Sequence, residues 1–325
     1  MLLGLVSASI LSRIKLDFFN DYSKYFLMMS FLFSLVVFIP GLGREINGAT
    51  RWLDLGFITI QVTEISRLFL LIWICSYLSR NNINEAFNKC LLMVVFLSLI
   101  LIFQKDLGSI ILLFSSFFAL ALILGLSIKK FFTYFLIVCL AIIPLIVYKP
   151  YRLARMVSFL DPWSDPSGSG YQLMQSLLAF GKGGFFGLGL GSSVQKLFYL
   201  PESYNDFIFA LIAEELGLIF TLLIIIVFYV VFLRIFSLAK KSFMNNLIFA
   251  GNLSYMIGFL ITFQAIIHIM VNIGLFPTKG MGLPFISYGG TNLIVMFICF
   301  GILVRIHIEN RKRVSQGVQG VQGGY

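Results

Sequence analysis

The sequence predicts an all-α, polytopic integral membrane protein, and three observations predict it. Hydrophobic residues make up 59% of the 325-residue chain and charged residues only 12%, with a mean hydropathy of +0.96. The apolar residues gather in continuous runs, several near the roughly 17–25 residues that a helix needs to cross a bilayer. Polar residues do not alternate within those runs, which excludes a transmembrane β-barrel, whose strands alternate between lipid and lumen.

In chain order, the opening run Met1–Leu11 is apolar but too short for a full span, and it lacks the basic flank of a secretory signal peptide. Full spans are expected near Tyr25–Pro40, Ile58–Leu78, Cys90–Phe103, Gly108–Leu126, Phe131–Tyr148, Phe207–Phe232, Leu247–Ile273 and Asn292–Ile308. If the loops alternate sides, the short loops on the side of Arg13–Lys24 carry fourteen Lys and Arg, ending at Arg313. The short loops opposite carry four: Arg44, Arg51, Lys105 and Lys279. The positive-inside rule then puts the Arg13–Lys24 side in the cytoplasm. The net charge of +10 is therefore a topology signal, and no basic cluster interleaved with stacking aromatics points to nucleic acid. Cys75, Cys90, Cys139 and Cys299 form no CxxC pair, and His268 and His307 have no metal-ligand spacing.

A single transmembrane domain is expected over residues 1–313, followed by a low-complexity tail, 314–325, expected to be disordered. One segment, 149–206, is long enough to be a functional outer loop. Its Asp161-Pro162 and Asp165-Pro166 mark turns. Within QLMQSLLAFGKGG, Leu173, Leu177, Leu178 and Phe180 are expected to lie on the membrane while Lys182 faces water.

Acids are scarce, 14 in all, so those near membrane depth carry weight. Glu64 and Arg67 are three apart and share a helix face, as a structural ion pair would. Asp106 lies between two spans, placed to cap a helix, with Lys105 beside it as a cation that could pair with it. Asp206 begins a span and also suits a cap. Glu214 and Glu215 follow eight and nine residues later, about 12 Å into the helix, where a buried partner or polar cavity is implied. Outer cations, with Arg51 and Lys196 the leading candidates and Lys279 beside them, suit the oxygens of an anionic lipid-linked substrate. An ionised carboxylate there could take a hydroxyl proton. This chemistry fits a lipid-linked sugar transferase, a lipid flippase or an anion transporter.

Five stretches carry a closer resemblance: GATRWLDLG (48–56), QKDLGS (104–109), FLDPWSDPSGSGYQLMQSLLAFGKGG (159–184), GLGLGSSVQKLFYLPESYNDFIFALIAEELG (187–217) and PTKGMGLPFISYGG (277–290). They resemble the SEDS (shape, elongation, division, sporulation) peptidoglycan polymerases over almost the whole chain, and DPW, QKLFYLPE and PTKG resemble the cell-division branch. The resemblance implies a ten-helix fold, of which about nine are expected here because the family's first span is unmatched. It implies inverting glycosyl transfer that polymerises lipid II and releases undecaprenyl diphosphate, with Asp206 as the essential acid. Glu64 and Arg67 take the place of the family's Glu–Lys pair, and Glu214 and Glu215 that of its EELG. It also implies a class B penicillin-binding transpeptidase and other division proteins as partners, a place in the bacterial cytoplasmic membrane at the septum, and a divalent cation, Mg or Mn. Family motif positions are altered at Asn47, Val62, Lys105, Tyr204 and Asn205. The unmatched span and these changes keep a non-catalytic division scaffold as an alternative, beside the lipid II flippase or transporter that the acid and cation chemistry also fits.

Overall fold

The structure is a computed structural model and describes the chain apart from Asn47, Phe57 and residues 323–325. The side chains of Ile146, Tyr151, Phe198 and 316–322 also lie outside the described part. The altered position Asn47 and most of the tail marked as disordered therefore lie outside the described residues.

Six helices are long and apolar enough to cross a membrane, and three shorter apolar helices join them. Together they fall at the nine expected places. The chain divides into two compact units. The first comprises Met1–Ser127, Phe232–Ile261 and Gly290–Tyr325, and the second Ile128–Val231 and Thr262–Gly289.

The first unit opens with α1 (Leu2–Leu11), α2 (Leu16–Asp21) and α3 (Ser23–Val36). A small sheet follows, with β1 (Gly43–Ile46), β2 (Ala49–Asp54) and β3 (Thr59–Gln61) antiparallel in that order. Arg44 pairs with Trp52 and Trp52 with Gln61, and the register slips between Arg44 and Glu45. This sheet lies outside the all-α expectation and displaces the start of the second span. Its sequence signal was the Asn47-Gly48 dipeptide between two short runs, a hairpin turn pair. Leu53 of β2 closes a small cluster with Val37 and Val62.

Next come α4 (Val62–Arg80), α5 (Ile83–Phe103) and α6 (Leu107–Ile123). Helix α4 is enclosed along most of its length: Leu70, Leu71, Ile72, Ile74 and Cys75 are all buried, as are Glu64 and Arg67. Helix α5 starts where the Asn82 side chain accepts the Asn84 amide at 3.0 Å, and ends where Lys105 takes a left-handed φ of 59°. The first unit also holds α12 (Gly290–Gln322), against which α1 packs so closely that a Cβ on Gly301 would fall 2.6 Å from the Ala8 carbonyl oxygen.

The second unit shows that the long segment 149–206 is largely structured. After α7 (Ile128–Val147) come α8 (Pro150–Leu160), α9 (Tyr171–Gly183) and a π-helical turn at Gln195–Tyr199. Part of the apolar side of α9 packs inward against the unit's own core. Leu173 is buried, Phe180 packs on Phe209, and the Ser176 hydroxyl donates to the Asn272 carbonyl at 2.7 Å. Of the four residues assigned to lipid, Leu178 is exposed.

Helix α10 (Ile208–Met244) passes from the second unit into the first, and α11 (Ile248–Asn272) returns. The expected continuous span of Phe207–Phe232 is broken. Gly217 adopts φ 76°, ψ −176°, a conformation essentially restricted to glycine. The glycine-rich stretch after α9 enters the break. Leu188 and Gly189 amides donate to the Glu214 and Glu215 carbonyls, both at 3.0 Å, while Leu218 and Ile219 amides donate to Gly184 and Phe185 at 2.9 and 3.3 Å. The backbone groups freed by the break are thereby satisfied, as an apolar surrounding requires.

Candidate active site

Asp206 lies in the turn that leads into α10, half-buried. Three hydrogen bonds fasten this turn through its backbone. The Tyr288 amide donates to the Tyr204 carbonyl at 2.9 Å, the Ser287 hydroxyl to Asn205 at 2.6 Å, and the Asn272 amide nitrogen Nδ2 to Asp206 at 3.1 Å. Asn272 Oδ1 also accepts the Ala210 amide at 3.0 Å, and so satisfies a donor in the first turn of α10. The carboxyl lies against Gly280: a Cβ there would stand 3.0 Å from Asp206 Oδ2. An added methyl there would press on the carboxyl, which would have to shift by a few tenths of an ångström, and Gly280 is itself exposed. The neighbouring Lys279 has its Nζ 5.3 Å from the centre of the Phe276 ring.

Glu214 and Glu215 stand three and two residues before the break, near the end of the helical piece that precedes it. Glu214 is fully buried and accepts from the Ser193 hydroxyl and from the amides of Val194 (3.3 Å) and Gln195 (3.2 Å). It thus supplies acceptors to the amides at the start of the π-helical turn. Glu215 Oε1 pairs with Lys196 Nζ at 3.0 Å, and Lys196 also donates to the Gly191 carbonyl. The partner implied for these acids comes from the outer segment. Lys196, expected to hold diphosphate, is engaged in fastening that segment.

The remaining candidates belong to the first unit. Arg67 Nη2 binds Glu64 Oε2 at 2.5 Å on the first turns of α4, with Arg67 1% exposed. Arg67 Nε and Nη1 have no hydrogen-bond partner among the described residues. Arg51 and Asp106 also act electrostatically on Glu64, so two cations and two anions share this region. Asp106 caps α6, accepting from the Ser109 amide at 3.1 Å and the Ser109 hydroxyl at 2.9 Å, and pairs with Arg51 Nη1 at 3.6 Å. Burial pushes the Asp106 carboxyl up, but the Arg51 guanidinium and the Ser109 hydrogen bonds outweigh it and hold the group below its ordinary value. Lys105, the expected partner, instead donates to the Gly48 carbonyl. Its left-handed backbone at the end of α5 carries the side chain to the hairpin.

Among the described residues, no three His, Cys, Asp or Glu side chains gather as a metal site, and no step below is routed through the divalent cation that the resemblance implies. Sequence reasoning missed Asn272, Ser287 and Gly280, which build the Asp206 turn. The first two are polar residues in apolar surroundings, a readable signal; Gly280 carries none beyond its motif.

Residues 1–312 match the FtsW/RodA/SpoVE family of cell cycle proteins. The chain belongs to that family. Among its FtsW/RodA/SpoVE relatives, the probable peptidoglycan glycosyltransferase FtsW of Coxiella burnetii is 40% identical over 312 residues, covering 94% of this chain and 84% of that protein. The protein of the same description from Wigglesworthia glossinidia brevipalpis is 42% identical over 306 residues, covering 92% and 79%. In a solved structure of a peptidoglycan synthase complex that coordinates polymerization and crosslinking, one chain matches with a TM-score of 0.76 at 25% identity, covering 95% of this chain and 87% of that one. RodA of Thermus thermophilus shares the fold, with a TM-score of 0.68 at 22% identity over 95% and 85%.

Proposed function

We propose that this chain is a cell-division peptidoglycan glycosyltransferase that polymerises lipid II, with Asp206 as its general base. The acceptor sugar's 4-hydroxyl oxygen attacks the anomeric carbon of the donor, and its proton passes to the Asp206 carboxylate. A glycosidic bond forms as the bond from the anomeric carbon to diphosphate breaks. Undecaprenyl diphosphate leaves, and the anomeric configuration inverts.

The observation that carries the reading is the placement of Asp206. Glu64, Asp106 and Glu214 are buried, and Glu215 already holds Lys196. Asp206 is half-buried, its backbone is locked by Asn272, Ser287 and Tyr288, and its carboxyl lies along the exposed Gly280. A base must be both reachable and fixed in place. Lys279, next to that glycine, is the cation we assign to the leaving diphosphate. Family membership and the FtsW relatives support the reaction class. A penicillin-binding transpeptidase partner, supported by the resemblance to a synthase complex, and a septal place in the cytoplasmic membrane belong to the same proposal.

The test is polymerisation of labelled lipid II by purified protein together with its transpeptidase partner. Asp206→Asn should lower the rate by about 10²–10⁴-fold, the usual worth of a general base. Equal glycan yield from the variant and the wild type overturns the assignment.

A further inference from the structure

Toward its C-terminal end helix α11 carries Gln264, His268 and Asn272 at successive intervals of four. That spacing puts them on one face of the helix. In an apolar helix each is costly unless it is satisfied, and all three are buried, at 1%, 1% and 0% exposure. Each reaches a backbone group of the Asp206 region. Gln264 Nε2 donates to the Gly282 carbonyl at 2.9 Å. His268 Nδ1 lies 2.7 Å from the Met281 carbonyl oxygen. A carbonyl cannot donate, so Nδ1 carries the proton and the imidazole is held as that tautomer. Asn272 Nδ2 donates to the Asp206 carbonyl at 3.1 Å and to the His268 carbonyl at 2.8 Å, while Oδ1 accepts from Ala210.

These bonds reach both halves of the site. The lower two rungs hold Met281 and Gly282, directly after the Gly280 on which the carboxyl rests. The upper rung holds Asp206 itself. We propose that Gln264, His268 and Asn272 form a ladder of positioning residues that sets the Asp206 carboxyl against the Lys279–Gly282 segment. Buried as they are, they act through Asp206 and Gly280 and do not touch substrate. The inference rests on Asp206 being the base.

The test compares His268→Leu, Asn272→Leu and His268→Asn with wild type in lipid II polymerisation, resolving kcat from KM, with Asp206→Asn measured alongside. Hydrogen–deuterium exchange of the peptide covering residues 204–211 is followed in the same proteins. Both leucine variants should lose about 10²-fold in kcat, the scale of a misplacement near 1 Å, with KM changed by less than about threefold. The shorter amide of His268→Asn can still donate to the Met281 carbonyl and should restore most of kcat. Exchange at 204–211 should quicken in Asn272→Leu. If Asn272→Leu does not fold, Gln264→Leu removes a rung farther from the turn and should show the same kcat-selective loss.

Leucine variants with wild-type kcat overturn the ladder, as does a matched fall in kcat and rise in KM that His268→Asn does not repair. If Asp206→Asn proves fully active, the base assignment falls. The exchange measurement still decides the ladder, because it reads the turn directly.

Discussion

Two groups of polar side chains, one in each unit, are held in opposite ways. In the first unit, Arg51, Glu64, Arg67 and Asp106 are held by charge: the side chains pair with each other, and three of the four are almost wholly buried. In the second, Asp206 is held by neutral hydrogen bonds to the backbone of its turn, and the carboxyl sits half-buried beside a glycine. Fixing a turn through its backbone sets where its side chain stands, here in a partly open place. Fixing a side chain through a buried ion pair ties it to its partner. The contrast separates a structural cluster from a reactive one without appeal to motif, and it can be broken from either side.

The largest effect should come from halving the charge cluster. Arg67→Leu leaves Glu64 buried without its cation and should destabilise the protein by about 3–5 kcal/mol, whereas Asp206→Asn should cost about 1 kcal/mol or less. Thermal unfolding in detergent measures both. The double variant Glu64→Leu/Arg67→Leu should recover most of the stability, since burying apolar groups in place of an ion pair is often close to neutral. If the double variant is stable yet inactive, the pair contributes to catalysis and the contrast between the clusters fails.

Next in size is the broken helix. Gly217→Ala puts a side chain where φ is 76° and where its Cβ would meet the Gly187 amide nitrogen at 2.4 Å. The expected cost is about 1–3 kcal/mol for the backbone conformation alone. Limited proteolysis should then cut within residues 184–191, which lose their seat in the break. Unchanged cleavage and melting would show that this stretch is held by something other than the break. A smaller loss, about 1 kcal/mol, should follow Lys196→Met, because the pair with Glu215 is partly exposed. Polymerisation by that variant should remain if Lys196 fastens the segment, and should fail if it grips diphosphate.

How much of this was readable follows from how local each signal is. Hydropathy is a property of neighbours, so the nine apolar helices could be placed from sequence. The break at Gly217 could not: apolar residues flank it on both sides, and what opens the helix is a glycine stretch some thirty residues earlier. Lys105 adjoins Asp106 in sequence, but a left-handed backbone turns it toward Gly48, and Arg51, from another element, supplies the charge. Local pattern left Asp206 as a cap, and only the resemblance raised it to a catalytic candidate. His268 was considered as a metal ligand and set aside. Its spacing of four from Gln264 and from Asn272 was there to be read.

The smallest predicted effect tests the charge-held side of the contrast by pH. Asp106 is held below the ordinary carboxylate value despite burial, because Arg51 and Ser109 favour its charged form. A depressed folded value means that the unfolded chain binds the proton more readily. The stability this group contributes is therefore complete above its unfolded value, near about 3.9, and is lost as pH falls through the lower folded value. One proton limits the slope to about 1.4 kcal/mol per pH unit. Melting temperatures in detergent should thus fall more steeply below about pH 4 for wild type than for Asp106→Asn, which cannot take up that proton. Above about pH 5 the two curves should run parallel, with the variant lower throughout because an amide cannot match a carboxylate opposite a guanidinium. Parallel curves across the whole range would mean that Asp106 meets the same environment folded and unfolded, and that Arg51 does not hold it.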